Sequence, residues 1–413
     1  MRVLFLGINY APEQTSVAPF NTGLCEALAA AGHQVLVVTA YPYYPEWKVH
    51  PGYRRRLASR ETRTGVSVWR VWHYIPHSPR KLLQRLAHDI TYSWLALAVA
   101  LLTARHLNVV ITSSPPPFTP LAGAVLALVH RAPLIVKVTD ISSGAAAQLG
   151  IVPPGLLQRV ARFVEGFGLR RARRVIVGAE SYVQEVVSLG VRLERVRVIP
   201  DWADPKELTP RDGQDSVRAK ILKEGETQLA VHVGNMGLKQ HLATLVDAAA
   251  LSDATTRWLL VGDGEERAML QDRARAGRVT QLSFLPLQER ERYRQLLAAA
   301  DVLLLIQSAS ITSQVLPSKL LSYLAAGRPV VASVHADSEV ARIVRKAECG
   351  VLVPPEDPAE LARAVRALRA RPNETARMGD NARRFAEEHF SSRAVLASYR
   401  EEIEECVKVG RDP

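Results

Sequence analysis

Short runs of β-branched and aliphatic residues alternate along the whole chain with longer stretches in which apolar positions recur every three or four residues. The first kind of run reads as a buried strand and the second as an amphipathic helix. Their regular alternation is the pattern of an α/β fold with parallel sheets. In the N-terminal half it predicts strands at Val3–Leu6, Gln34–Thr39, Val66–Val71, Val109–Thr112, Leu134–Val138 and Arg174–Val177, with helices between them such as Phe20–Ala31, which stops at Gly32. Pro200-Asp201-Trp202-Ala203-Asp204-Pro205 and the Pro-, Asp- and Gly-rich tract from Leu208 to Ser216 interrupt the pattern as a linker. It then restarts, with strands at Leu229–Val233, Arg257–Val261, Leu282–Phe284, Val302–Ile306, Pro329–Ala332 and Gly350–Val353. Two Rossmann-like, doubly wound domains are therefore expected, residues 1–205 and 206–389, with a helix over about 390–413 packing back on the first. Open parallel sheets bind ligands in the crevice beyond the C-terminal ends of their strands, so the expected site is a cleft between the domains.

Composition narrows this a little. At 413 residues the chain is long for one core and suits two domains. Cys25, Cys349 and Cys406 are too few and too scattered for a disulfide framework or a metal cluster, as a reducing cytoplasm permits. The apolar start Val3-Leu4-Phe5-Leu6 is too short for a signal-peptide core and reads as a first strand. Charge is more informative. Residues 1–200 carry 23 Lys/Arg against 10 Asp/Glu and the remainder 30 against 31, so the positive excess sits in the first half. Its clusters are Arg54-Arg55-Arg56, Arg80-Lys81 with Arg85, and Arg159, Arg162, Arg170, Arg171, Arg173 and Arg174. They could face anionic lipid or diphosphate, or form only a solvated face; no nucleic-acid partner is expected. The most apolar stretch, Ile90–Ala104, is shorter than the roughly 20 residues that span a bilayer. It reads either as a buried helix or as one at a membrane interface, with Tyr92 and Trp94 at headgroup depth.

The segment richest in chemistry follows the strand Val302–Ile306: a polar loop, then Leu316-Pro317-Ser318-Lys319, an apolar helix ending at Gly327, and Arg328-Pro329 turning into the next strand. Pro317 suits the first turn of a helix, where its missing N–H costs nothing. The free N–H groups of that turn, the helix dipole and the Lys319 ammonium would converge on one anion, such as a diphosphate. Gly234-Asn235-Met236-Gly237-Leu238-Lys239 follows the first strand of the second half and brings glycines and a second lysine to the same sheet edge. Gly262-Asp263-Gly264 ends the next strand, where glycines would leave room beside a nucleotide, without completing a dinucleotide fingerprint. Lys239 and Lys319 together could clamp a leaving diphosphate. His33, His130 and His232 read as structural, His232 as a satisfied core residue. The loops Tyr41-Pro42-Tyr43-Tyr44-Pro45-Glu46-Trp47 and Ser113-Ser114-Pro115-Pro116-Pro117-Phe118 either line an acceptor site, where rings stack on sugar faces, or pack on their own domain.

These segments, together with Gly7-Ile8-Asn9-Tyr10-Ala11-Pro12-Glu13 and Phe284-Leu285-Pro286-Leu287, resemble those of family 4 glycosyltransferases, in order, from residue 1 to about 370. The closest group is the colanic-acid and O-antigen type, including fucosyl- and N-acetylfucosaminyl-transferases. The resemblance implies a GT-B fold and retaining transfer of a sugar from a UDP- or GDP-linked donor, without metal or other cofactor. It also implies an acceptor saccharide that is often lipid-linked, met at the cytoplasmic face of the membrane. On this sequence the family's donor-diphosphate contacts fall on Lys239, the Gly234 turn, Ser318 and Lys319, and Asn235, Gly262, Gly264, Pro286, Pro317 and Ser322 are further candidate donor-binding residues. Glu13 and Asp140 fall in the opposing domain, near the sugar or the acceptor hydroxyl. Two features depart from the family pattern. Gln314 and Ser322 stand where many members carry a pair of glutamates, and Asn235 replaces the usual arginine, which leaves ribose and base contacts open. Two rivals remain at this stage: a sugar-nucleotide epimerase of the same fold, and a non-catalytic partner that binds lipid-linked glycan.

Overall fold

In the computed structural model the chain forms two compact units, one of Met1–Pro200 with the segment from Leu396, the other of Asp201–Val395. The structure describes all residues except 15, 54–55, 79–80, 142–154, 209–213, 311–315 and 410–413, and except the side chains of 157, 214, 215 and 409. Arg54, Arg55, Arg80 and Gln314 thus lie outside the described residues.

The first unit contains β1 (Arg2–Leu6), α1 (Ala18–Ala30), β2 (Gln34–Ala40), β3 (Ala58–Arg63), β4 (Val66–Val71), α2 (Leu82–Thr103), β5 (Val109–Ser114), α3 (Thr119–His130), β6 (Leu134–Val138), α4 (Leu156–Arg171), β7 (Arg174–Val177), α5 (Ser181–Ser188) and β8 (Val196–Val198). Its sheet runs β3-β4-β2-β1-β5-β6-β7-β8, and only the edge strand β3 is antiparallel to its neighbour. Every residue of β5 and β6 is buried, as expected of strands covered by helices on both faces. Strand β3 is joined to β4 by the two-residue turn Thr64-Gly65, both residues at positive φ, the twist that hairpin turns favour.

The apolar helix is longer than its composition indicates. Helix α2 has 22 residues and, by length and composition alone, is long and apolar enough to cross a membrane. Its inner face nevertheless packs on β2, β4 and α3. Tyr92 is fully buried and donates its hydroxyl to Val38 O at 3.0 Å, which matches the buried-helix alternative at that position; Trp94, 64% exposed, points outward. Arg85, its side chain still 41% exposed, has its Nε 3.8 Å from Asp89 and its guanidinium over the Trp47 ring.

The second unit holds α6 (Gln214–Ile221), β9 (Gln228–Val233), α7 (Ala243–Ala250), β10 (Thr256–Val261), α8 (Arg267–Ala276), β11 (Leu282–Leu285), α9 (Arg290–Ala299), β12 (Val302–Ile306), α10 (Ser318–Ala325), β13 (Val330–Ser333), α11 (Glu339–Ala347), β14 (Gly350–Val353), α12 (Pro358–Arg369) and α13 (Pro372–His389). Its sheet, β11-β10-β9-β12-β13-β14, is parallel throughout. Alternate residues of β9 feed opposite cores, Leu229, Val231 and Val233 on one face and Ala230 on the other. The strand order reverses between β9 and β12, which makes that pair the topological switch point. The last helix, α14 (Ser392–Val409), returns to the first unit, where Glu402 pairs with Arg174 and Arg197 and Tyr399 donates to Ile199 O.

Candidate active site

At the switch point the backbone itself creates a demand. Strands β9 and β12 pair only through Val302 with Ala230 and Leu303 with Val231, and then part. The backbone groups beyond that point need other partners, since a buried unpaired peptide group is costly. Two side chains supply them. The Tyr323 hydroxyl accepts from Val233 N–H at 3.0 Å and lies 3.2 Å from Val233 O and 3.4 Å from Leu304 O. His232 Nδ1 lies 2.9 Å from Leu304 O. Both rings are fully buried.

This fixes the chemistry of His232. With Nδ1–H donating to Leu304 O, Nε2 is left as an acceptor, and Lys319 Nζ stands 3.3 Å away. Burial, and then the Lys319 charge, push the imidazole far below its ordinary range, so it is neutral. Lys319 is itself pushed down to about 8 by burial. The expected core histidine is therefore buried and satisfied, but one of its partners is the site lysine.

Gly234 completes the lysine's bed. Its φ is +143°, and a Cβ there would come within 3.0 Å of Lys319 Nζ and 3.1 Å of Cε. Only glycine lets the ammonium lie against this turn. Pro317 stands one place earlier than expected: its ψ of 131° makes it the N-cap, and Ser318, exposed, is the first helical residue of α10. The positive end of the α10 dipole and Lys319 thus share one strand-end position. Lys239 is exposed, and its carbonyl accepts from Ser308 N–H at 2.9 Å, which ties the loop after β9 to the loop after β12.

Three of the expected donor-contact residues have close partners within the protein. A Cβ on Gly262 would meet Gly234 O at 2.0 Å, and one on Gly264 would meet Met236 O at 2.4 Å. These glycines admit the backbone of the β9 loop, which also accepts from Glu266 N–H and donates to Asp263 O through Met236, so the close approach they permit is made by protein backbone. Ser322 shares a hydrogen bond with the Tyr293 phenol on the neighbouring α9 and faces that helix. Asn235 and Pro286 are exposed at the ends of β9 and β11.

In the first unit Glu13 is only 4% exposed and fully engaged. Its Oε1 accepts from the N–H groups of Tyr43 and Tyr44, both at 2.8 Å, and its Oε2 from Asn9 Nδ2 at 2.9 Å. This corrects the expected direct contact with sugar: the carboxylate pins the tyrosine-proline loop to the first loop. That loop packs on its own domain. Tyr41 and Tyr43 are buried, and the Tyr43 hydroxyl meets His88 Nε2 at 3.1 Å while His88 Nδ1 meets Tyr74 O at 2.8 Å. Burial pushes His88 down to about 4 and its neighbour Asp89 up to about 7. Asp140 lies half-buried beyond β6, with Oδ1 accepting from Ile141 N–H at 2.8 Å. His88, Asp89 and Tyr323 escape a reading by sequence; the only local signal is polar residues at core-facing helical positions.

Residues 17–202 match the family described as Glycosyl transferase 4-like domain and residues 213–385 that described as Glycosyl transferases group 1. Over 413 aligned residues, 98% of this chain and 100% of the relative, the sequence is 29% identical to WcaI of Escherichia coli (strain K12), named for glycosyl transfer in colanic acid biosynthesis. WbjE of Pseudomonas aeruginosa, named as a glycosyltransferase, is 25% identical over 232 residues, 52% of this chain and 56% of that one. Among solved structures, sucrose-phosphate synthase from Thermosynechococcus elongatus superposes with a TM-score of 0.77 at 19% identity, covering 99% of both chains. HepE from Anabaena, in complex with UDP, does so at 0.73 and 18%, covering 98% of this chain and 100% of that one. Likeness at these identities speaks to fold, whereas the two family matches together span most of the sequence: this chain belongs to the group 1 glycosyltransferases, with a glycosyl transferase 4-like N-terminal domain.

Proposed function

We propose that this glycosyltransferase takes its sugar from a UDP- or GDP-linked donor, holds the donor diphosphate at the β9–β12 switch point, and transfers with retention to a lipid-linked saccharide at the cytoplasmic face of an anionic membrane. The observation that carries the donor reading is the Lys319 ammonium, held by His232 over Gly234 at the start of α10. As the glycosidic bond breaks, charge grows on the departing diphosphate. A cation and helix terminus already aimed at that position stabilise it without reorganisation, and partial desolvation strengthens the attraction. Lys239, at the same strand ends, adds a second cation. HepE, which shares this fold, has been solved in complex with UDP and with UDP-glucose, which supports a nucleotide-sugar donor. No metal or cofactor enters this scheme, because lysines and a helix terminus carry the leaving-group charge. Asp140 is assigned the orientation of the sugar or acceptor hydroxyl.

The test is a panel of UDP- and GDP-sugars, first for binding and then for transfer to a polyprenyl-diphosphate-linked acceptor, with wild type and Lys319→Ala and with chelator present. Transfer should survive chelator and fail in the variant. Activity abolished by EDTA and restored by magnesium or manganese would overturn the assignment of leaving-group stabilisation to the lysines.

A further inference from the structure

The outer face of the first unit's helix layer is unusually apolar. On α2, Trp94 is 64% and Leu102 81% exposed; on α3, Leu128 is 78% and Val129 59%; on α4, Phe163 is 63% and Phe167 39%. These helices are neighbours, α3 packing against both α2 and α4, so the side chains share one surface. Scattered apolar residues on a surface need no explanation, but a contiguous patch of large ones marks a binding face.

The charge around it selects the occupant. The three helices carry two carboxylates between them, Asp89 and Glu165, and both are buried. The cations, by contrast, border the patch. The Arg170 guanidinium lies 5.6 Å from the Phe163 ring centroid and that of Arg171 4.9 Å from Phe167. Such side chains bury an apolar stem and hold the charge at the boundary between oil and water. Between α3 and α4 runs a groove of about 680 Å³, with Leu128 and Phe167 in its wall and Arg131, Arg171, Arg173 and Arg195 around it. An apolar wall with a cationic rim matches an acyl chain below a phosphodiester.

We propose that the α2–α3–α4 face is the surface by which this protein docks on an anionic phospholipid bilayer. This deepens the membrane part of the function proposed above and rests on the reading only there. The rings of Trp94 and Phe163 enter the interface, where aromatic side chains partition well. The arginines contribute about 1 kcal/mol each against anionic headgroups.

Co-sedimentation with vesicles of phosphatidylcholine alone, or with about one-quarter phosphatidylglycerol, tests it. Wild type should pellet with the anionic vesicles only, and less as salt rises. Two variants separate the contributions. The triple change Trp94→Ser, Leu128→Ser and Phe163→Ser should lower partitioning by about tenfold or more through lost apolar burial. The double change Arg131→Glu and Arg171→Glu should abolish the preference for anionic vesicles. Both should melt as wild type does and bind UDP unchanged, so a failure here is distinct from a failure of the donor site. If the triple variant does not fold, the blue shift of wild-type tryptophan emission on adding vesicles, lost in Trp94→Phe, tests the same surface. Vesicle binding indifferent to both sets of changes overturns the proposal. So does a wild-type dimer that the triple variant splits, which would make the face a contact between copies.

Discussion

Raising the pH from 7 to 9 should cost this enzyme its catalytic efficiency but not its fold, and Lys319 should be the reason. Burial holds the ammonium at about 8, against 10.5 for a free lysine. At that value roughly nine-tenths of the free enzyme is charged at pH 7 and roughly one-tenth at pH 9, so kcat/KM should fall by nearly an order of magnitude. Stability moves the other way. Between pH 8 and 10.5 the unfolded chain keeps a proton that the native state has released, so the contribution of this residue to stability rises with pH across that window. Bound diphosphate favours the charged form, and the fall in kcat should therefore come at higher pH than the fall in kcat/KM. Initial rates at low and saturating donor, with melting temperatures in the same buffers, measure all of this. Lys319→Ala should lower kcat/KM on the order of a hundredfold and lose the pH limb. Lys319→Arg, charged throughout, should keep part of the activity without the limb. A wild-type profile that is flat to pH 9, or the same limb in Lys319→Arg, would refute the reasoning.

Replacing His232 by Leu removes the acceptor for Lys319 and deepens its desolvation, so the alkaline limb of kcat/KM should move below pH 8; an unchanged limb would separate the two residues. Glu13→Ala strips three donors of their buried acceptor and should destabilise the first unit by about 3 kcal/mol in urea unfolding. Full stability with lost transfer would return Glu13 to direct contact with sugar. Asp89 binds its proton more tightly folded than unfolded, so its ionisation costs stability as pH rises from about 4 through 7. Asp89→Asn should therefore gain relative stability across that range, at most about 4 kcal/mol, and level off above it. A gain that is absent, or independent of pH, would show that pairing with Arg85 outweighs burial.

The parallel strands were legible because strands covered on both faces are written as unbroken apolar runs. Strand β3 was not, because Ala58-Ser59-Arg60-Glu61-Thr62-Arg63 forms an exposed edge and has no apolar face to display. The first turns of α2 were hidden for the opposite reason: His88 and Asp89 are polar but buried, and their local pattern does not announce a core. Among the candidate site residues, the position of Lys319 at a helix start was legible from the proline before it. The roles of His232 and Tyr323 were not, because they arise where β9 and β12 part, a fact that joins residues about seventy to ninety positions apart. The glycines at 262 and 264 signalled close approach correctly, but sequence does not say whether the approaching group is a ligand or a neighbouring loop.

The parting of β9 and β12 has a mechanical meaning. Beyond Leu303 the two halves of the second sheet are stitched not by a ladder but by Tyr323 and His232, one of them borne on the same helix as the lysine. Helix α10 is thus the rivet that closes the seam and, in the function proposed above, also the anvil on which the donor's charge falls. A bound diphosphate would tighten the rivet, and occupancy at 100 times Kd is worth about 2.7 kcal/mol to the folded state. Donor should then protect the amides of β9, β12 and α10 from hydrogen exchange well beyond the residues it touches. Substrate would act as the last piece of the sheet's own carpentry.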